Sequence, residues 1–264
     1  MKLQGNTIFI TGGGSGIGRG LAEAFHKLGN KVIIAGRRTN LLKEVTDANP
    51  GMESVELDIE NLDSIDPVAF GLIRRFPALN VLINNAGISR LDDAATEMND
   101  QQIVAIITTN LMGPIRLTSD LIEHLKQQAD ATVINVTSGL AFTPLAMAAV
   151  YCATKAALHS YTMSQRFKLR DSNVKVVELA PPYVQTDLNG GADDPRAMKL
   201  ADFIAETMQL LDSDDDEILV ERVKELRGNP GADEYAFVES FNKRFLGSSH
   251  ENATNRVAAT SNKN

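Results

Sequence analysis

Short runs of apolar, β-branched residues alternate along this chain with longer segments whose apolar positions recur at helical spacing. The runs Thr7–Thr11, Lys31–Gly36, Ser54–Asp58, Val81–Asn84, Thr132–Thr137 and Val174–Leu179 predict six strands. Three of them, TIFIT, KVIIAG and ATVINV, are apolar almost without interruption. Strands of that kind are buried on both faces, as in a parallel sheet covered by helices. Ile17–Leu28, Leu41–Ala48 and Val150–Leu169 predict crossover helices between them. Right-handed crossovers then give an α/β, doubly wound parallel sheet.

The pattern changes after Leu179. Pro181–Asp194 is rich in Pro, Gly and Asp and reads as a loop, and residues 195–211, 215–227 and 232–245 read as helices. No seventh strand is recognisable. The acidic run Asp212–Glu217 suits a helix start, where negative charge meets the positive end of the macrodipole. A metal site is the sharper reading of that run, but charge runs are usually solvated faces. From Gly247 the chain is polar and is expected to be disordered. With no internal repeat and no linker, residues 1–246 are expected to form one Rossmann-type domain, with 185–246 as substrate loop and C-terminal helices.

The 264 residues are 43% apolar and 23% charged, as in an ordinary globular protein. The formal net charge of -8 argues against nucleic acid or an anionic membrane as partner, since both need a positive surface. It leaves room for a local positive pocket. Cys152 is the one cysteine, so no intramolecular disulfide forms and a reducing compartment fits. The N-terminal apolar run is too short and too Gly-rich for a signal peptide, and no stretch reaches the ~18 apolar residues of a membrane span. A cytoplasmic protein is expected. Asn252-Ala253-Thr254 matches a glycosylation acceptor that a cytoplasmic chain would not present to the enzyme.

The first strand runs straight into Thr11-Gly12-Gly13-Gly14-Ser15-Gly16-Ile17-Gly18, and a helix follows. Glycines let the backbone turn tightly and approach a pyrophosphate, and the helix start offers free N–H groups to it. The spacing is T-G-x-x-x-G-x-G, not G-x-G-x-x-G. A Gly-rich turn without a ligand is the plainer reading; its position after the first buried strand of an alternating chain favours the nucleotide. The second strand ends at Gly36, followed by Arg37 and Arg38. An acidic residue there would hold ribose hydroxyls, whereas arginine pairs with a 2′-phosphate. NADP(H) is therefore expected ahead of NAD(H), on this one location, because Ser15 is not basic.

Ser138 follows the fifth strand, and Tyr151 and Lys155 lie thirteen and seventeen residues later. The Tyr-x-x-x-Lys spacing places both side chains on one helix face. A free tyrosine has a pKa near ~10, and a neighbouring ammonium lowers it. Such a tyrosine can exchange a proton with an alcohol or carbonyl oxygen, with Ser138 hydrogen-bonded to the same atom. Alone, Tyr-x-x-x-Lys usually means surface; together with the serine and the glycine loop it points to chemistry.

With these motifs in place the sequence resembles the short-chain dehydrogenase/reductase family over roughly residues 5–190. The resemblance is carried by the Thr11–Gly18 loop, Asp58, Asn84-Asn85-Ala86-Gly87, Asn110, Ser138, Tyr151 and Lys155. It implies that Asp58 holds the adenine and that Asn85, Ala86 and Gly87 shape the cofactor wall. It also implies a Ser138–Tyr151–Lys155–Asn110 tetrad, with Lys155 on the nicotinamide ribose and Thr186 on the carboxamide, beside Pro181 and Val184. Family members commonly pair through helices corresponding here to roughly 99–128 and 150–169, and a missing last strand would remove surface used for a second kind of contact, so a homodimer is expected ahead of a tetramer.

Two departures stand out. The family's P-G-x-V-x-T reads Pro181-Pro182-Tyr183-Val184-Gln185-Thr186 here, and proline can neither take a positive φ nor donate an N–H. The usual last strand is replaced by helix-like sequence. In both respects the chain resembles a subgroup linked by operon context to D-alanyl-lipoteichoic acid synthesis. His26, His124, His159 and His250 show no ligand spacing and read as helix-surface or tail residues; no metal is expected. Cys152 reads as packing.

A hydride-transferring oxidoreductase acting on a small carbonyl or alcohol is the leading function. A non-catalytic dinucleotide sensor would be expected to lose Tyr151 or Lys155. A nucleotide-sugar epimerase needs a larger C-terminal part than this chain has. An esterase with Ser138 as nucleophile lacks a His–Asp pair positioned by sequence. The substrate pocket is expected near Gly139–Ala146 and Pro182–Leu211.

Overall fold

The computed structural model describes residues 1–188, 194–229 and 231–245. The expected tail from Gly247, with His250 and the Asn252 acceptor, lies outside the described residues. Strand β1 (Thr7–Thr11) leads to helix α1 (Gly16–Lys27), and β2 (Lys31–Gly36) to α2 (Thr39–Ala48). Then come β3 (Glu53–Glu56), α3 (Ile65–Arg75), β4 (Leu79–Asn84), α4 (Asp100–Ile107), α5 (Gly113–Leu125), β5 (Ala131–Val136), α6 (Ala149–Leu169) and β6 (Val174–Leu179). The chain continues through α7 (Leu200–Leu211), β7 (Glu217–Ile218) and α8 (Lys224–Arg227), and residues 234–245 are helical.

The strands form one sheet in the order β3-β2-β1-β4-β5-β6-β7, with every neighbouring pair parallel. Strands β1, β2, β4, β5 and β6 bury both faces, which is why their apolar runs show no alternation. Ile8, Ile10, Val32 and Ile34 join Leu21 and Phe25 of α1 in one core layer. Phe9, Ile33, Leu79 and Leu82 face the other way onto Leu72 of α3 and Leu117 and Leu121 of α5. The order reverses between β1 and β4, so the loops after these strands part and leave a crevice at the carboxyl edge of the sheet.

The C-terminal part differs from the expectation. A seventh strand exists: β7 pairs with β6 through Glu178↔Glu217 and Leu179↔Ile218. Two residues are too few for an apolar period to show, so sequence patterning could not reveal it. The acidic run therefore does not start a helix. It follows α7 as a turn and ends in β7, and the expected helix 215–227 shrinks to α8 and a short turn before it. The 99–128 helix is interrupted by a π-helical stretch, Thr108–Met112, which swings Asn110 inward to zero exposure.

Candidate active site

The glycine loop is held in place by its neighbours across the crevice. Thr11 Oγ1 accepts hydrogen bonds from the backbone N–H of Asn85 and Ala86, both at 3.0 Å. The Asn85 amide donates back to the Thr11 carbonyl at 2.8 Å. Gly12 has φ +70°, and a Cβ there would lie 2.9 Å from Asn85 Nδ2. A Cβ on Gly18 would lie 2.3 Å from the Gly12 carbonyl oxygen, so neither position admits a side chain. Ser15, at the N-cap of α1, makes no side-chain capping bond. Its hydroxyl instead accepts from Arg38 Nη2 at 2.8 Å, and the first-turn N–H groups of α1 stay available for an anion.

Arg37 and Arg38 frame the same end of the crevice. The Arg37 side chain, half-exposed, lies 3.3 Å from Glu60 and 3.8 Å from Asp58. Such exposed pairs are weak and yield readily to a better anion. Asp58 itself accepts from the Glu60 N–H at 3.1 Å and so caps its own turn.

At the other end lie the serine, tyrosine and lysine. Ser138 is 7% exposed and accepts from the Leu140 N–H at 3.1 Å, which fixes its Oγ. Tyr151, also 7% exposed, lies beside Ser138, whose hydroxyl favours its phenolate. Lys155 is 4% exposed; its Nζ donates to the Val136 carbonyl at 2.8 Å and lies 5.7 Å from the centre of the Tyr151 ring. Asn110 accepts from the Ile88 N–H and donates to the Ile88 carbonyl, each at 2.9 Å, and also donates to Thr154 at 3.2 Å. A Cβ on Gly87 would meet Asn110 Oδ1 at 3.4 Å and Lys155 Nζ at 3.7 Å, so these two groups face each other across a glycine.

One continuous cleft of about 870 Å³ joins the two ends. Of the residues singled out in the sequence, Thr11, Gly12, Gly14, Ser15, Gly16, Ile17, Gly18, Arg37, Arg38, Asn85, Ala86, Gly87, Ser138, Tyr151, Lys155, Pro181, Val184 and Thr186 line it. Asp58 and Asn110 do not: Leu57 and Ile59 line it beside Asp58, and Asn110 stands behind Gly87. Thr186 lies against the glycine loop, 3.3 Å from where a Gly16 Cβ would sit. The Pro182 loop is braced without any positive φ, through the Tyr183 carbonyl and Gln185 N–H, each 2.8 Å from Met198.

The substrate end departs from the expected wall. Gly139, Leu140, Leu145, Tyr183, Asp194 and Arg196 line it, but residues 200–211 do not, because α7 packs against α1, where a Gly20 Cβ would lie 2.7 Å from Ile204. Glu225, Leu226, Phe241 and Phe245 close it instead. Sequence reasoning missed these residues, since nothing local distinguishes a pocket-facing Phe from a core one. Beside the pocket, Arg196 holds the Asp194 carboxyl down to about 2.

His159 corrects the reading of the histidines as surface residues. It is 15% exposed at its side chain, with Nδ1 2.7 Å from Glu178 Oε2 in β6. No hydrogen bond joins this pair to Ser138 Oγ, so it does not form a serine-nucleophile triad. Cys152 packs as expected: its Sγ lies 3.3 Å from the Leu145 N–H, and burial pushes the thiol up to about 11.

Comparison with known proteins agrees with this geometry. The model of the short chain dehydrogenase family matches residues 6–197. The uncharacterized oxidoreductase DltE of Bacillus subtilis is 38% identical over 248 residues, covering 92% of this chain and 98% of DltE. An NADP-dependent 3-hydroxy acid dehydrogenase of Schizosaccharomyces pombe is 31% identical, covering 71% of this chain and 75% of its own length. A short chain dehydrogenase from Burkholderia cenocepacia, solved in complex with NADP, superposes with a TM-score of 0.79 at 26% identity, covering 89% of this chain and 97% of that one. The 3-ketoacyl-(acyl-carrier-protein) reductase of Brucella melitensis, complexed with NADH, gives a TM-score of 0.73 at 28% identity, covering 81% and 93%. The chain belongs to the short-chain dehydrogenase/reductase family and is an oxidoreductase acting on CH–OH groups with a nicotinamide dinucleotide. DltE carries the expected resemblance to the teichoic-acid subgroup. No helix among the described residues is long and apolar enough to cross a membrane.

Burial governs the titration of the two central groups. It pushes the Tyr151 phenol up to about 12, against the smaller lowering effect of the Ser138 hydroxyl. This reverses the expected direction for the protein without cofactor, because loss of water outweighs every neighbour. Burial also lowers the Lys155 ammonium to about 8. Below pH ~8 the folded protein bears the full cost of a buried charge. Between pH ~8 and ~10.5 it sheds a proton that the unfolded chain keeps, so this group makes stability rise with pH. Lys155→Met, which keeps the stem and drops the charge, is expected to raise the Tm of the ligand-free protein at pH 7, by ~2–4 °C per kcal/mol relieved. The gain should shrink as pH rises from 8 to 10; calorimetry across that range checks it, and a lowered Tm at pH 7 would contradict it.

Proposed function

We propose that this chain is an NADP(H)-dependent reductase or dehydrogenase that transfers hydride between nicotinamide and a carbonyl or alcohol carbon, with Ser138, Tyr151, Lys155 and Asn110 as its working residues. The observation that carries the reading is one cleft with an anion-binding glycine loop at one end and a buried Ser–Tyr–Lys cluster at the other. The side-chain-free surfaces of Gly12 and Gly18, together with the open N-terminus of α1, fit a pyrophosphate. When bound, the cofactor supplies or accepts the hydride. The chain's own part is to hold the reacting oxygen and move its proton.

In the reductive direction, Tyr151 donates its phenolic proton to the carbonyl oxygen while Ser138 hydrogen-bonds the same atom. A phenol near 12 is a poor donor of its proton to solvent, and the adjacent ammonium of Lys155 stabilises the phenolate left behind. Lys155 would also hold the ribose of a bound cofactor, and Asn110, which lies near it beside Gly87, fixes the Ile88 backbone that lines the cleft. Residues 1–246 act as one domain, and a cytoplasmic setting suits the free cysteine. Tyr151→Phe is expected to keep cofactor affinity and to lose ~10²–10⁴-fold in turnover of a carbonyl found by screening. Wild-type turnover in that variant would overturn the proton-transfer assignment.

The preference for NADP(H) rests on Arg37 and Arg38, which line the glycine-loop end of the cleft, Arg38 on Ser15 Oγ and Arg37 beside Asp58 and Glu60, where a ribose 2′-phosphate would be read. Fluorescence titration is expected to show tighter binding of NADPH than NADH, with Arg37→Ala losing NADPH affinity selectively. Equal affinity for both, unchanged by the substitution, would sink this assignment.

A homodimer is supported by apolar side chains left exposed on the helices of the expected interface. They are Val104 and Ile107 on α4, Met112 just before α5, and Met163 and Phe167 on α6. The expectation that a missing last strand favours a dimer falls away, since β7 is present. Sedimentation at micromolar protein is expected to give twice the chain mass; a stable monomer would contradict it.

A further inference from the structure

Glu178 is a carboxylate with zero exposure one residue before the end of β6, a position where parallel strands ordinarily carry Val or Ile. An unpaired charge there would cost several kcal/mol, so its partners are the condition for its presence. Both oxygens are paired: Thr137 Oγ1 donates to Oε1 at 2.6 Å, and His159 Nδ1 lies 2.7 Å from Oε2.

These two partners are the neighbours of the working residues. Thr137 immediately precedes Ser138. His159 lies four residues after Lys155 and eight after Tyr151 on α6, hence on their face of the helix. A single carboxylate therefore ties the chain segment bearing the serine to the helix bearing the tyrosine and lysine. A second layer backs it. The Phe142 ring meets His159 edge-on at 4.9 Å, and Arg227 lies 4.8 Å above Phe142. Arg227 also forks onto Glu217 at 2.9 and 3.0 Å, and Glu217 is the β7 residue in register with Glu178. Arg166 borders the group through the Val176 and Asp216 carbonyls. His159, Glu178 and Glu217 bring their ligand atoms within 4.8 Å of one another, as a metal site would. Here Arg227 takes both Glu217 oxygens, and Thr137 and His159 take both of Glu178's, so the network is closed by its own hydrogen bonds.

We propose that Glu178 and His159 are positioning residues, which act through Thr137 to set Ser138 against the Tyr151–Lys155 face of α6. The proposal rests on the acid–base reading above. Its physical content is that setting the Ser138 hydroxyl beside the Tyr151 phenol needs two separate elements, tied through Glu178, held in register. A shift of about 1 Å in such a group costs up to ~10²-fold in rate.

The test uses the full chain in four variants, with NADPH supplied for turnover and NADP⁺ bound for the spectra. Thr137→Val cuts the link to the serine segment at constant shape. Glu178→Gln removes the charge, His159→Leu removes the donor, and His159→Asn keeps a donor near the position of Nδ1. Two readouts are taken: turnover of a screened carbonyl, and the ¹³Cζ chemical shift of Tyr151 at pH 7, assigned by its absence in Tyr151→Phe. Thr137→Val, Glu178→Gln and His159→Leu are expected to lower kcat ~10- to 100-fold with NADPH affinity within about twofold, and to move the Tyr151 shift. His159→Asn is expected to recover most of the rate and the parental shift. Folded variants with kcat within about twofold of the parent and an unmoved Tyr151 shift would overturn the proposal. So would losses that follow Tm alone and are not rescued by His159→Asn. If Tyr151→Phe itself kept full turnover, the acid–base reading would fall on its own account, while the chemical shifts would still decide whether the network sets the tyrosine.

Discussion

The structure turns on an ammonium group kept almost out of water. Among the described residues Lys155 Nζ donates to one acceptor, the Val136 carbonyl at the end of β5, and several elements combine to bring that carbonyl and the tyrosine to it. Helix α6 packs on β6 and brings the lysine to the end of β5. Gly87 lies between Asn110 and the ammonium, with Asn110 Oδ1 3.4 Å and Lys155 Nζ 3.7 Å from where its Cβ would sit. The π-helical stretch before α5 must break the regular ladder so that Asn110 turns inward. Burial then pushes the lysine and the tyrosine toward their neutral forms, leaving two groups whose charge states respond strongly to an added neighbour.

Parallel strand order gathers these pieces. With every strand running the same way, all the loops that follow strands meet at one edge. The reversal of order between β1 and β4 opens the crevice there, and Thr11 and Asn85 clamp its two sides together from the ends of those strands. The glycine loop approaches Asn85 and Ala86 so closely that Gly12 cannot carry a Cβ. Binding and chemistry thus share one rigid frame, with the β-strands supplying fixed ends and the loops supplying the contacts.

On the substrate side the frame gives way to contributions from distant parts of the chain. Leu226 and Phe245 reach the cleft from the C-terminal segment, and α8 sits so close to Gly139 that a Cβ there would lie 2.8 Å from Leu226. The two-residue strand β7 docks this segment onto the sheet beside β6. A short pairing suffices because Arg227, Glu217, Phe142 and His159 fasten the same region through side chains.

By itself the sequence determined whatever depends on near neighbours along the chain. The double-sided burial of Ile8–Ile10 and Ile33–Ile34 shows as unbroken apolar runs, the glycine loop as a cluster between strand and helix, and the Tyr151–Lys155 pairing as a helical turn. Each is a relation between residues a few positions apart, where backbone geometry leaves little choice. Only the tertiary structure decided relations across the sheet. Glu178 reads in sequence as a polar residue in a strand and His159 as one more helix position, yet 19 residues apart they form one buried pair. Arg38 reaches Ser15, Arg227 reaches Glu217, and β7 finds β6 through contacts that carry no periodicity. The physical reason is that a buried charge is admitted by its partners' positions, and those positions are set by strand order and packing, which no local pattern encodes.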